Sequence, residues 1–167
     1  ETATTEIYTL SLQTLFRSKP IHDKYRVKRL IVSTYQAVSG TGHAGVDELQ
    51  KQTFSYAKGE KIENTVYPHQ IAFNILPHID SFQENGYSGE EMKMIRETAK
   101  ILDYNINITS TTVRVPLSSA HSESLNIETE TPFEVNQITN LMAESPGIAV
   151  EAEPEKNISP IPLNASR

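Results

Sequence analysis

Residues 114–123, R-V-P-L-S-S-A-H-S-E, constrain the fold more than any other stretch of this 167-residue chain. They join two runs of strand-like alternation, Ile106 to Val113 before them and Leu125 to Glu128 after them. Pro116, Ser118 and Ser119 supply turn chemistry between the two runs. Arg114 and His121 stand seven residues apart, and strand side chains alternate with a period of two, so no continuous strand puts both on one face. The segment must bend. Two strands meeting at a bend can hold a fixed cation and a proton-transferring group over one pocket. A surface hairpin with an exposed arginine and an ordinary histidine is the competing reading, and these residues alone favour it.

Composition narrows the function classes. A net charge of -6, a pI near 5.4 and the lack of any lysine and arginine cluster argue against nucleic acid, which needs clustered cations to neutralise phosphate. No apolar run approaches the roughly 20 residues that span a bilayer, so no membrane association is expected. The first residues, E-T-A-T-T-E, lack the basic and apolar regions of a signal peptide, and the cytoplasm is the expected compartment. The absence of cysteine excludes a disulfide framework, a thiolate metal site and a cysteine nucleophile within these residues. The glycosylation tripeptides at Asn107, Asn157 and Asn164 read as chance matches in such a compartment. The length suits one domain over residues 1–167, with an extended, proline-bearing tail from about Glu151.

Along the chain, Glu6 to Ser18 reads as a helix that Lys19-Pro20 ends. Lys28 to Val38 reads as a strand. Leu30, Val32, Thr34 and Gln36 share one of its faces, and Ile31, Ser33, Tyr35 and Ala37 share the other. Both faces are largely apolar, so cover on both sides is expected. Gly40, Gly42 and Gly45 then match the spacing of the dinucleotide fingerprint. The acid that such a site wants about 20 residues on falls at Glu60 and Glu63, in a stretch that reads as a turn, so a tight strand-to-helix connection is the better reading. In the helix that follows, Val46, Leu49, Thr53 and Tyr56 form the expected packing face.

Tyr67 to Asp80 is an apolar run between prolines and is expected to be buried. His69 and His78 lack a third ligand fixed by local spacing, so no metal is expected there. Ser88 to Leu102 is the clearest helix, with Ser88 and Glu91 at capping-box spacing and Met92, Ile95, Ala99 and Leu102 as the expected buried stripe. Glu90 and Lys93 are neighbours on one face of it, either as a solvated ion pair or as opposite charges holding a zwitterionic ligand. After the bend, Thr131-Pro132 opens a helix that Pro146-Gly147 stops, and Ile148 to Val150 reads as a short edge strand. The fold expected is α+β: a mixed sheet of Lys28 to Val38, Ile106 to Pro116 and His121 to Glu130, covered by helices.

Four stretches, V-S-T-Y-Q-A-V-S-G-T-G, Q-I-A-F-N-I-L-P-H-I-D, E-E-M-K-M-I-R-E-T-A-K-I-L and T-V-R-V-P-L-S-S-A-H-S-E, occur in one order across roughly residues 10–165. Together they resemble the aspartate-semialdehyde dehydrogenases, specifically the C-terminal catalytic and dimerisation domain. In such enzymes a cysteine thiolate attacks the substrate carbon and NADP exchanges the hydride, converting aspartyl phosphate to aspartate semialdehyde in amino-acid biosynthesis. The resemblance implies that His121 is the general acid/base and that Gln36 helps to orient the reacting centre. It implies that Arg114 clamps the substrate carboxylate, with Glu90 near the amino group and Lys93 near phosphate. It also implies a homodimer.

The departures shape the expectation for this chain. The family's cysteine position falls on Thr9, and threonine supplies no thiolate at neutral pH. The nucleotide site of the family lies in a domain that these residues do not match, so the chain by itself is expected to bind no cofactor, with NADP belonging to the complete enzyme. Without the thiol and the cofactor, no turnover is expected. The alternative is a non-catalytic module that binds an aspartate-like molecule or phosphate, or that pairs with a full-length subunit.

Overall fold

The computed structural model describes residues 17–165, which form three strands, five helices and two short 3-10 turns. The strands are β1 (Val27–Gln36), β2 (Asn107–Arg114) and β3 (Ser122–Thr129), in the sheet order β2-β1-β3. Just beyond the end of β2, the Val115 amide donates to the Gln36 carbonyl at the end of β1, so these two strands run parallel. Just beyond the end of β3, the Glu130 amide donates to Arg26 before the start of β1, so these two run antiparallel. The sheet is therefore mixed, with helices beside it, as the α+β expectation has it.

The helices are α1 (described over 17–25), α2 (His43–Lys58), α3 (Gly89–Ile101), α4 (Val135–Ala143) and the one-turn α5 (Pro162–Ala165). The expected stop at Lys19-Pro20 is not one, because α1 continues through Pro20 to residue 25. Ser18, Ile21, His22 and Tyr25 are all buried at helical spacing, and that packed face outweighs the single amide that proline lacks. Most of the helix expected over Glu6 to Ser18 lies outside the described residues. Residues 148–150 form no strand. After Glu151 come a 3-10 turn, Pro154–Lys156, and α5.

The chain folds as two compact units. The first takes the described residues 17–32, 91–110 and 125–160. Its core is apolar: Ile21, Tyr25, Val27, Leu30, Val32, Met94 and Ile106 are buried, with Phe133, Ile138 and Leu141 packed against them. Tyr25 and Phe133 meet as a tilted aromatic pair with centroids 5.4 Å apart. Of α3, Glu91, Met94 and Thr98 are the buried positions, whereas Met92, Ile95, Ala99 and Leu102 are only half-buried. The stripe is rotated from the expected one because Thr98 satisfies its own hydroxyl on the Met94 carbonyl at 2.6 Å and can be buried without penalty.

The second unit takes residues 33–90, 111–124 and the described part of 161–167. Its apolar centre is small: Val38, Leu49, Ile71, Ala72 and Leu76. Polar side chains complete it. Thr34, Gln36, Glu48, Gln52, Thr112 and Arg114 are all buried. The packing face of α2 is Gly45, Glu48, Leu49 and Gln52, so Thr53 and Tyr56 of the expected face are exposed. On β1, Leu30, Val32, Thr34 and Gln36 are buried, while Ile31 and Ser33 are half-buried and Tyr35 is 42% exposed, so cover on both sides is not found. Phe73 and Ile75, within the run expected to be buried, are also exposed.

Candidate active site

The bend between β2 and β3 is built around Ala37, the residue that follows β1. Ala37 is fully buried, and its amide donates to Nδ1 of His121 at 3.1 Å while its carbonyl accepts from Nη1 of Arg114 at 2.8 Å. The two residues that a single strand face could not share thus meet at one residue, Ala37. Backbone bonds fasten the crossover on either side, from Val115 to the Gln36 carbonyl and from Val38 to the Leu117 carbonyl, both at 2.9 Å. Ala120 takes a left-handed conformation, φ 64°, immediately before His121, so some backbone strain is spent on aiming the imidazole.

Because Nδ1 accepts the Ala37 amide, the neutral ring carries its proton on Nε2. Burial pushes the His121 pKa below the ordinary 6.5, and the Arg114 charge adds to this, against the opposing pull of the Ala120 carbonyl and Glu90. At neutral pH the ring is therefore an uncharged donor. Arg114 is itself buried; desolvation weakens its hold on its proton, and the fields of Tyr67 and Glu90 restore part of it. Gln36 completes the cluster: its amide nitrogen lies 3.3 Å from the Glu90 carboxylate and 3.3 Å from the Thr34 hydroxyl. Arg114, His121, Gln36 and Glu90 thus belong to one group in the second unit. Lys93, in the first unit, is half-buried on α3. Thr9 lies outside the described residues.

On its Tyr67 side, Arg114 borders a cavity of about 250 Å³, which Thr41, Pro68, Leu76 and His78 also line. Tyr67 donates to the Thr41 hydroxyl at 2.9 Å. Among the described residues, no group of three or more histidine and acidic side chains could hold a metal.

The glycine-rich turn does not offer a dinucleotide cradle. Residues Val38–Thr41 form a 3-10 turn that leads into α2. A Cβ on Gly40 would lie 2.8 Å from Nη1 of Arg114, and one on Gly45 would lie 2.6 Å from the Tyr67 hydroxyl. These glycines admit the protein's own side chains where a fingerprint admits a pyrophosphate. The residues present do not fit NADP at this turn.

Comparison with known proteins shows the family. The sequence model of the semialdehyde dehydrogenase dimerisation domain matches residues 19–167. The chain belongs to that family. An aspartate-semialdehyde dehydrogenase of Aquifex aeolicus is 43% identical over 157 residues, which cover 93% of this chain and 46% of the relative. The Bacillus subtilis protein of the same name is 42% identical over 164 residues, covering 93% and 47%. The structure of aspartate semialdehyde dehydrogenase II from Vibrio cholerae, complexed with ASA, superposes with a TM-score of 0.81 at 43% identity, covering 83% of this chain and 42% of that one. The chain therefore spans about half the length of the relatives it matches.

Sequence reasoning missed Glu48, Gln52 and Tyr67. Glu48 and Gln52 share the buried face of α2 with Leu49, but as polar residues they are invisible to a search for apolar periodicity. The only trace in the sequence is their spacing of four, which places them on one helix face.

Proposed function

We propose that this chain supplies the substrate side of an aspartate-semialdehyde dehydrogenase, the enzyme that reduces aspartyl phosphate with NADPH to aspartate semialdehyde and phosphate. The convergence of Arg114 and His121 on Ala37, with Gln36 and Glu90 beside them, carries this reading. Arg114 provides a planar fork for the substrate carboxylate. Glu90 provides an anion for the ammonium group. His121, protonated on Nε2, exchanges a proton with the reacting group, and the Gln36 amide orients that group. NADPH would supply the hydride when bound, and the chain's own residues supply neither its cradle nor the thiol nucleophile. The 167 residues by themselves are therefore inactive, and turnover of aspartate semialdehyde with NADP and phosphate above a no-protein blank would defeat that claim.

Binding tests the reading directly. L-Aspartate titrated into the chain should bind saturably, and Arg114→Ala should weaken it at least tenfold, the scale of one charge-assisted fork. No saturable binding, or equal binding by the variant, would overturn the assignment.

We further propose that the chain pairs with a second copy of itself, consistent with its match to a dimerisation domain. The open groove bordered by Tyr35, Phe73, Ile75 and Leu117, an exposed apolar surface within the second unit, suits such a partner. Sedimentation should give a dimer that Ile75→Asp dissociates. A cytoplasmic setting accords with the biosynthetic reaction. A non-catalytic pairing module is the second reading; it predicts the dimer without the aspartate binding.

A further inference from the structure

Residues 60–88, between α2 and α3, contain no regular helix or strand, so their backbone amides need partners from elsewhere. Two side chains one turn apart on α2 provide them. The carboxylate of Glu48, 3% exposed, accepts from the amides of Thr65 at 2.9 Å, Tyr67 at 3.3 Å and Val66, and from the Thr65 hydroxyl at 2.6 Å. The carbonyl of Gln52, 1% exposed, accepts from Ile71 at 2.9 Å and Ala72 at 3.0 Å. Its amide nitrogen reaches the Glu63 carbonyl, the Asn64 side chain and Glu48 at 3.0, 3.1 and 3.2 Å.

This network ends at the candidate site by two routes. One runs through Tyr67, whose hydroxyl reaches Thr41 at 2.9 Å and the Val38 carbonyl at 3.4 Å, in the turn whose Gly40 packs on Arg114. The other runs from Ile71 and Ala72 to Leu76, which exchanges both backbone hydrogen bonds with Arg114, at 2.9 and 3.0 Å. We propose that Glu48 and Gln52 are positioning residues that act through the 63–76 segment to set the placement of Arg114 and of the Tyr67 wall of its cavity, and so the affinity for a carboxylate ligand. The ligand part of this proposal rests on the function proposed above.

The principal variant is Glu48→Gln, which keeps the shape of the side chain but turns an acceptor into a donor. The amides of Thr65, Val66 and Tyr67 should exchange with solvent about tenfold faster, and the L-aspartate dissociation constant should rise about tenfold. The same substitution made on Tyr67→Phe should cost less than it does alone, because both act on one route. Should Glu48→Gln not fold, Thr65→Ala, which removes one exposed hydroxyl from the network, should shift both readouts in the same direction by a smaller factor.

Faster loop exchange with an unchanged dissociation constant, or additive effects with Tyr67→Phe, would make Glu48 a structural residue only and overturn the proposal. If the unsubstituted chain binds no L-aspartate, the function reading fails separately. Positioning is then read without ligand from the side-chain Nε resonance of Arg114, which Glu48→Gln should move; an unmoved resonance overturns the proposal.

Discussion

The two units of this chain are held together by different physics. The first buries a continuous apolar cluster from Ile21 to Ile106, in which the large side chains touch one another, and the polar residues buried in that unit, Ser18, His22, Glu91, Thr98 and Ser110, include no guanidinium and no carboxamide. The second has an apolar centre of five residues and completes its interior with Gln36, Glu48, Gln52 and Arg114. Apolar packing is non-directional and tolerates small shifts, whereas a buried polar network holds only when each donor meets its acceptor. The candidate active site lies in the second kind of interior. That is where fixed side-chain geometry is needed, and it is also where one lost partner leaves several buried groups unsatisfied.

The largest expected effects test this contrast directly. Leu30→Ala, at a residue 1% exposed in the first unit, should cost about 3 kcal/mol in urea unfolding through lost burial and a cavity. Glu48→Leu should cost a similar amount, about 2–3 kcal/mol, although it makes the chain more hydrophobic, because it orphans the amides of Thr65, Val66 and Tyr67. An unchanged or raised stability for Glu48→Leu would erase the distinction between the units.

Gly40→Ala separates stability from binding. The added methyl meets Nη1 of Arg114 at 2.8 Å, the far end of a flexible side chain, so stability should fall by less than about 1 kcal/mol. The displaced guanidinium should nevertheless weaken L-aspartate binding about tenfold by calorimetry. Equal binding would mean that Arg114 is not held in place by this turn.

Acidity should act on the second unit in two stages. The folded pKa of His121 lies below 6.5, so the unfolded chain takes up that proton first as pH falls. The stability it contributes is complete above 6.5 and is lost as pH falls through the folded value. For Glu48, burial pushes the carboxyl up, but the Thr65 hydroxyl and the amides of Val66, Thr65 and Tyr67 together bring it below the ordinary 4.5. Its contribution is therefore present above 4.5 and disappears as pH falls through its own folded value. Urea midpoints followed against pH should decline from 6.5 downward and decline further from 4.5, with His121→Gln removing the first limb. A flat profile from 6.5 down to 4.5 would contradict the burial of His121.

The smallest effect concerns the bend. Ala120→Gly, at φ 64°, relieves a left-handed alanine and pays back part of the gain as chain entropy, for a net stabilisation of about 0.5 kcal/mol. A destabilised variant would show that the Ala120 methyl packs usefully.

Much of the first unit was legible because its determinants are local and apolar. α3 is within one residue of the span read at either end, Gly89–Ile101 against Ser88 to Leu102. The strand read over Lys28 to Val38 is β1. The errors there came from polar residues that carry their own partners. Thr98 could replace an apolar neighbour in the buried stripe because its hydroxyl bonds back to Met94.

By itself the sequence determined the mixed α+β architecture, the bend forced by Arg114 and His121, and the family, since periodicity, turn residues and ordered motifs are properties of the linear chain. Only the tertiary structure decided that both residues grip Ala37, that the glycine-rich turn is filled by Arg114 and Tyr67, and that Glu48 and Gln52 serve the 63–72 backbone. The reason is that a buried polar side chain is defined by its partners. Glu48 and Tyr67 are 19 residues apart, and no pattern of hydrophobicity records which amide will meet which carboxylate.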